Sequence, residues 1–269
     1  MVIRTGVVGH PISHSLSPKI YNTWFADVGI AGQYEAVDVV PENFETTVRQ
    51  LARDGWRGVN VTIPHKTAAY EIADYRNPEA ERVGAANLLV FSEGKIIADN
   101  TDVAGFRSCL QSIPTKTNRA VVLGAGGAAG AIIAALSSCG EVSIVNRTLS
   151  KAGALSERAD AKTQAYTWDA LPDLLQNTDF LINTTSLGMT GQPRLEIDLA
   201  PLPQQAEVYD IVYTPLETEF LKAAKARGLR AVGGLSMLVY QAVPSFKAYT
   251  GVEISDVDAM LRSLEEVCG

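Results

Sequence analysis

Cysteine, histidine and aromatic residues are scarce in this chain of 269 residues, which contains three cysteines, three histidines and 7% aromatic residues. Cys109, Cys139 and Cys268 stand far apart, so no C-x-x-C pair exists, and neither a disulfide framework nor a cysteine-ligated zinc site is predicted. His10 and His14 are separated by a loop that contains proline, and no H-E-x-x-H motif occurs. The sequence therefore predicts no bound metal.

Long apolar runs and an excess of positive charge are also missing. No segment of about 18 consecutive apolar residues occurs, so no membrane partner is expected. The opening residues, MVIRTGVVG, lack an apolar stretch followed by a small-residue cleavage site, and a cytoplasmic location is the expectation. The formal net charge of −7 repels phosphate backbones, so nucleic acid is not an expected partner.

What the chain does contain is the composition of a folded globular protein, with 46% hydrophobic and 20% charged residues. Short β-rich runs alternate with segments of helical periodicity. The predicted strands cover residues 3–9, 34–40, 58–63, 120–123, 142–145, 180–182 and 208–212. This alternation predicts βαβ units and a mainly parallel sheet, that is, an α/β fold.

Two helix starts are predicted from their capping residues. Ser17 and Pro18 are typical of an N-cap followed by proline at the first helical position. Near the end of the chain, residues 237–249 and 255–267 both have helical character, and Ser255 is placed to cap the second of them.

A glycine-rich turn joins the predicted strand at 120–123 to a segment of small apolar residues that suits a helix. The turn fits the pattern G-x-G-x-x-A. Its candidate cofactor-binding residues are Gly124, Gly126, Gly127 and Ala128. Glycine lets the backbone approach a pyrophosphate, and a helix N-terminus offers free N–H groups. The turn therefore predicts a dinucleotide site, with close backbone packing as the alternative.

The end of the next predicted strand distinguishes NAD from NADP. NAD-binding folds carry an acidic residue there, about 20 residues after the first glycine, which binds the ribose 2′-hydroxyl. This chain instead has Asn146, Arg147 and Thr148, followed by Lys151. A guanidinium binds phosphate in a bidentate fork, and cations at a helix start are unfavourable unless an anion joins them. The charge pattern favours NADP, with an exposed basic pair as the alternative.

Polar residues follow several predicted strands at their carboxyl ends, where open α/β sheets bind ligands. Their hydroxyl, amide and carboxylate groups suit a small polyhydroxylated acid, because buried unpaired hydroxyls are costly. They are Ser15, Ser17, Asn60, Thr62, Asn87 and Asp102. Taken singly, each is equally typical of a solvated loop, and Ser17 could serve only as a helix cap.

Lys66 and Asp102 are the acid–base pair that this pattern places at facing strand ends. Reduction of a ketone by hydride creates negative charge on oxygen, which needs a cation and a proton donor within hydrogen-bond reach. The two side chains together can supply both, with a structural salt bridge as the alternative. Sequence does not distinguish which of the two holds the moving proton.

In their order, these motifs resemble those of the shikimate dehydrogenase family over nearly the whole chain. The matching stretches are GHPI and HSLSP from Gly9, NVTIPHK from Asn60, NTD from Asn100 with Gly105, the turn from Gly124, NRT from Asn146, NTT from Asn183 with Gly188 and Met189, Asp210 with Tyr213 and Pro215, and Gly234 with Met237, Leu238 and Gln241. The ordered set is far more specific than any single motif.

The resemblance implies two α/β domains with a deep cleft between them. Residues 1–101 and 235–269 would form a substrate domain with a mainly parallel sheet, and residues 102–234 a Rossmann-type NADP domain. It also implies roles for individual side chains. The substrate carboxylate would bind Ser15 and Ser17, the ring hydroxyls Asn60, Thr62, Asn87, Asp102 and Gln241, with Tyr213 near the substrate and Gly234 and Met237 around the nicotinamide.

The implied activity is the reversible, NADP-dependent reduction of 3-dehydroshikimate to shikimate in aromatic amino acid biosynthesis, with Lys66 as the essential lysine. Two alternatives stay open: a quinate or quinate/shikimate dehydrogenase, and a related NADP-binding protein with another substrate or none. Retention of both Lys66 and Asp102 speaks against a protein that only binds. A monomer or a homodimer is expected.

Overall fold

The computed structural model describes residues 2–111 and 118–268. The chain divides into two compact units, Met1–Gly105 with Leu238–Met260, and Phe106–Met237 with Leu261–Gly269. The sequence-based boundaries, after residues 101 and 234, lie within a few residues of these divisions. Residues 261–269 were expected in the first domain, whereas they group with the second unit.

The first unit is built on a six-stranded sheet. Its strands are β1 (Ile3–Gly9), β2 (Gly32–Asp38), β3 (Gly58–Val61), β4 (Tyr75–Arg76), β5 (Leu88–Ser92) and β6 (Lys95–Asp99), in the order β2-β1-β3-β5-β6-β4. Only β5 runs against the others, because it pairs antiparallel with both β3 and β6. The prediction of a mainly parallel sheet is confirmed.

Helices follow several of these strands. They are α1 (Ser17–Asp27), α2 (Phe44–Arg53) after a 3-10 turn at Pro41–Asn43, α3 (Lys66–Ile72), α4 (Pro78–Val83) and α5 (Asp102–Gln111). The core between helices and sheet is apolar and includes Val8, Phe44, Val59 and Leu89. This rigid sheet places the loops that leave its carboxyl edge.

The second unit has six parallel strands. Its elements are β7 (Arg119–Leu123), α6 (Gly127–Ala135), β8 (Glu141–Val145), α7 (Leu149–Arg158), β9 (Thr163–Tyr166), a 3-10 turn at Trp168–Ala170, α8 (Leu171–Leu175), β10 (Phe180–Asn183), β11 (Glu207–Asp210), α9 (Glu219–Ala226) and β12 (Arg230–Val232). The spatial order β12-β11-β10-β7-β8-β9 is that of a Rossmann fold, whose strand order reverses between β7 and β10.

Two further helices, α10 (Leu235–Thr250) and α11 (Val257–Cys268), follow β12. The capping predictions for α1 and α11 were wrong in detail. Helix α1 begins at Ser17 itself, with Leu16 at the cap position and no side-chain cap, so Ser17 is not a capping residue. In α11 the Asp256 carboxylate, rather than Ser255, accepts the N–H of Ala259 at 3.1 Å.

Among the described helices, none combines the length and the apolar character that crossing a bilayer requires.

Candidate active site

The candidate substrate residues of the first unit leave one edge of its sheet. Strands β1 and β3 are neighbouring and parallel, so the loops after Gly9 and Val61 begin at the same edge. Asn60 lies opposite Leu88 in the antiparallel β3–β5 pair, and Leu88 lies opposite Asp99 at the end of β6. The start of β5 and the end of β6 therefore meet at this edge too.

Lys66 and Asp102 form a direct ion pair at this edge. Lys66 is the first residue of α3, Asp102 is the first residue of α5, and Nζ of the lysine lies 2.6 Å from Oδ2 of the carboxylate. The side chains are only 15% and 7% exposed, so water screens the pair weakly. The carboxylate also lies in the first turn of α5, where the helix dipole favours negative charge.

Asn87 holds the other oxygen of Asp102. Its Nδ2 donates to Oδ1 of Asp102 at 2.8 Å and lies within hydrogen-bond distance of Thr101 Oγ1 and Gln241 Oε1, at 3.0 and 3.2 Å. Its own oxygen accepts the backbone N–H of Thr101 at 2.7 Å. One buried amide thus ties the turn before α5 to helix α10, and it brings three predicted site residues together.

The turn that carries Asp102 is fixed from behind by Asn100. Its Oδ1 accepts the N–H of Asp102 at 3.1 Å, and its Nδ2 donates to the carbonyl of Ala85 at 2.8 Å. Gly105 lets α10 approach, because a Cβ there would lie 2.7 Å from the Cβ of Gln241. These contacts fix the backbone around Asp102 without any contribution from a substrate.

Asn60 is saturated by hydrogen bonds within the protein. Its Oδ1 accepts the hydroxyls of Tyr34 and Tyr249 at 2.9 and 3.1 Å. Its Nδ2 donates to the carbonyl of Asn87 at 3.2 Å and to Ser245 Oγ at 3.0 Å. An amide has two donors and about two acceptor sites, so a substrate hydroxyl could reach Asn60 only by sharing one of these bonds.

The hydroxyls of Ser17 and Thr62 have spare capacity. Within the described residues neither is hydrogen-bonded to another group, although Ser17 is only 5% exposed. Ser15 Oγ accepts the N–H of Ser17 at 3.3 Å and keeps its own proton for another acceptor. These three hydroxyls can therefore each bind a group of the substrate.

In the second unit, the turn between β7 and α6 has the geometry of a pyrophosphate site. Gly124 has φ of +107°, and a Cβ there would lie 2.8 Å from Thr184 Oγ1, so both conformation and space require glycine. At Gly126 a Cβ would meet open space, and no side chain caps α6, which begins at Gly127. The backbone N–H groups of the first turn of α6 are therefore left without a side-chain cap, which suits the binding of an anion.

The basic residues after β8 surround the start of α7. Asn146 donates from Nδ2 to the carbonyl of Thr148 at 2.9 Å, which shapes the turn. Thr148 occupies the cap position without a side-chain cap, and Arg147 and Lys151 are exposed. Within the described chain, neither cation pairs with a carboxylate. Two unpaired cations at an uncapped helix start favour a bound phosphate.

Three further predicted site residues lie in the second unit, beyond the glycine turn and the basic residues after β8. Tyr213 follows β11 and is half-buried, and Met237, near the start of α10, is buried. Gly234 packs against backbone, because a Cβ there would lie 2.0 Å from the carbonyl oxygen of Ile211. Its glycine is thus explained by packing, and its role beside a nicotinamide stays a prediction.

Other residues of the motifs quoted above stabilise the fold instead. Asp210 is fully buried and accepts from Asn183 Nδ2 at 2.9 Å, Val212 N at 3.1 Å and Thr218 Oγ1 at 2.7 Å. Burial raises the pKa of Asp210, and these hydrogen bonds oppose the rise. The network joins the ends of β10 and β11 to the cap of α9, which explains the NTT and Asp210 motifs.

No group of three or more histidine, cysteine, aspartate or glutamate residues that could hold a metal ion occurs in residues 2–111 and 118–268. His65 is instead a packing residue, since its Nε2 lies 2.7 Å from the carbonyl of Val39 and its ring stacks on Phe44. Burial lowers the pKa of His65.

Sequence reasoning missed the tyrosines and the serine around Asn60. Gln241, Ser245 and Tyr249 recur at intervals of four residues in α10, so they share one face of that helix. That spacing was visible in the sequence and could have identified Ser245 and Tyr249. Tyr34 gave no such signal.

Comparison with known proteins relates the whole chain to one family. The family described as shikimate dehydrogenase substrate-binding domain matches residues 7–89, and shikimate/quinate 5-dehydrogenase matches residues 108–212. The shikimate dehydrogenase (NADP(+)) of Chelativorans sp. (strain BNC1) is 49% identical over 266 residues, covering 97% of this chain and 95% of that protein. The protein of the same name from Methylobacterium radiotolerans is 50% identical, covering 92% and 91%.

Solved structures show the same similarity. Shikimate 5-dehydrogenase from Thermus thermophilus, crystallised with NADP(H) and shikimate, is 34% identical with a TM-score of 0.87, covering 98% of this chain and 99% of that one. The similarity extends over both units. The chain therefore belongs to the shikimate dehydrogenase family.

Proposed function

We propose that this chain is an NADP-dependent shikimate dehydrogenase, which reduces 3-dehydroshikimate to shikimate and catalyses the reverse oxidation. The observation that carries the proposal is the ion pair of Lys66 and Asp102, 2.6 Å apart at a sheet edge where hydroxyl and amide groups converge. Relatives of the same name at about half identity over nearly the whole chain support it.

Lys66 is the proton donor of the proposed reduction. The Asp102 carboxylate accepts from Asn87 on Oδ1 and from Lys66 on Oδ2, so it holds the ammonium in a charge-assisted hydrogen bond at the substrate edge. The Lys66 ammonium keeps further N–H groups, one of which can donate to the ketone oxygen and transfer its proton as that oxygen becomes an alkoxide. In the reverse direction, Lys66 accepts the hydroxyl proton.

The remaining residues bind and orient the substrate. Ser15 and Ser17, whose hydroxyls can each donate to a further partner, would bind the carboxylate, and Thr62 would bind a ring hydroxyl. Asn87, Asp102 and Gln241 would share their hydrogen bonds with ring hydroxyls. Because these groups already hold one another in place, little ordering is left for the substrate to induce.

NADPH, when bound, supplies the hydride for the ketone carbon. The residues of the second unit fit this cofactor. The Gly124–Gly127 turn and the uncapped start of α6 would hold the pyrophosphate, and Arg147, with Asn146, Thr148 and Lys151 beside it, would hold the 2′-phosphate. Tyr213, Gly234 and Met237 are proposed to complete the sites.

The test is NADPH oxidation by the purified protein with 3-dehydroshikimate, followed by shikimate and quinate oxidation with NADP⁺ and with NAD⁺. We expect turnover with shikimate and NADP⁺ to exceed the other three combinations by at least about tenfold in kcat/KM, or roughly 1.4 kcal/mol. Comparable rates with quinate would replace the proposal with a dual-specificity enzyme. NADPH binding without any turnover would refute it in favour of a binding protein.

A further inference from the structure

Helix α10 presents a polar stripe to the sheet of the first unit. Gln241, Ser245 and Tyr249 recur every four residues, whereas their helical neighbours Ala242 and Phe246 are fully buried and apolar. All three polar side chains hydrogen-bond to residues at the substrate edge. Gln241 belongs to the predicted substrate set, but nothing in the proposed mechanism uses Ser245.

Ser245 lies at the centre of this network. Its Oγ accepts from Asn60 Nδ2 at 3.0 Å, lies 3.1 Å from Thr101 Oγ1, and donates to the carbonyl of Gln241 at 3.3 Å. One hydroxyl has one proton and two lone pairs, so acceptance from Asn60 and Thr101 with donation to Gln241 uses its capacity completely. The side chain is fully buried, so it cannot itself contact a substrate.

The two residues that Ser245 joins belong to different parts of the site. Asn60 lies on β3, and Thr101 directly precedes Asp102 at the start of α5. Thr101 is also hydrogen-bonded to both the nitrogen and the oxygen of the Asn87 amide, which holds Oδ1 of Asp102. The Ser245 hydroxyl therefore links β3 to the turn carrying the carboxylate, beside the hydrogen bond from Asn60 to the Asn87 carbonyl.

We propose that Ser245 is a positioning residue for the substrate site, whose hydroxyl holds Asn60 and Thr101 in register and, through Asn87, orients the Asp102 carboxylate. The inference rests on the proposed function, since it assigns the hydrogen-bonded edge to the binding of ring hydroxyls. Removal of the hydroxyl leaves one N–H of the Asn60 amide without a partner in a buried site. Thr101 Oγ1 keeps only its contacts with the Asn87 amide and Gln241 Oε1, so both side chains reorient.

The experiment compares Ser245→Ala with the matched control Thr250→Ala in steady-state kinetics. Thr250 lies on the same helix and donates to the carbonyl of Phe246 at 2.8 Å, away from the network. We expect Ser245→Ala to raise KM for shikimate about tenfold and to leave KM for NADP⁺ within about twofold. Thr250→Ala should change neither. Thr101→Val combined with Ser245→Ala should raise KM by less than the product of the single effects.

A second measurement does not depend on the substrate. The side-chain amide protons of Asn60 and Asn87, followed by NMR, should shift in Ser245→Ala and stay in place in Thr250→Ala. Unchanged Asn87 resonances, an unchanged KM for shikimate, or multiplicative kinetics with Thr101→Val would each overturn the proposal. If the wild-type protein fails to oxidise shikimate, the proposed function fails, and the amide spectra alone then decide the role of Ser245.

Discussion

Replacement of Arg147 by alanine tests how this chain selects NADP. Arg147 is exposed at the start of α7 and has no carboxylate partner in the described chain, so its loss breaks no ion pair there. A hydrogen bond to a charged group contributes about 1.5–3 kcal/mol, and solvent screening at this exposed position brings the value to the lower end. We therefore expect Arg147→Ala to weaken NADPH binding about tenfold and NADH binding less than about twofold.

The assay is the dissociation constant of each dinucleotide, measured by fluorescence titration at one fixed ionic strength. Arg119→Ala is the matched control, because Arg119 is an exposed arginine at the opposite end of the same sheet, and it should leave both constants unchanged. Higher salt should diminish the effect of Arg147→Ala on NADPH. Equal weakening of NADPH and NADH would show that this guanidinium does not meet the 2′-phosphate.

Two further predictions concern stability and pH. Burial raises the pKa of Glu207, and the neighbouring Arg230 offsets only part of this rise. The carboxyl group therefore stabilises the fold at low pH, and this contribution is lost as the pH rises through the raised pKa. Glu207→Gln should raise Tm at neutral pH and have little effect near pH 4, about the ordinary glutamate pKa; an unchanged neutral Tm would contradict this. Burial lowers the pKa of His65, so stability should fall as pH drops below its ordinary value of 6.5. His65→Gln should flatten that fall in thermal unfolding, and an identical slope would contradict it.

Much of the nucleotide site could be predicted because its determinants are local in the chain. The glycines of the turn, the strand before it and the helix after it lie within a short segment, and the required conformation at Gly124 is a property of one residue. The parallel pairing of the strands could be predicted from their alternation with helices. The Lys66–Asp102 pair was found because parallel strands bring their carboxyl ends together.

The saturation of Asn60 could not be predicted, because its partners come from distant parts of the chain. Tyr34 is 26 residues away and Tyr249 is 189 residues away. Which hydroxyls converge on one amide depends on packing of α10 against the sheet, and no local pattern encodes that. The errors at Ser17 and Ser255 arise because the sequence does not determine to within one residue where a helix begins.

The most direct test of the mechanism is the turnover number of Lys66→Ala in the NADPH-dependent reduction of 3-dehydroshikimate, measured beside its NADPH affinity and its circular dichroism. The account predicts a fall in kcat of at least about 100-fold, the usual contribution of a positioned proton donor, in a folded protein that binds NADPH normally. Turnover close to that of the wild type would contradict the assignment of the proton to Lys66.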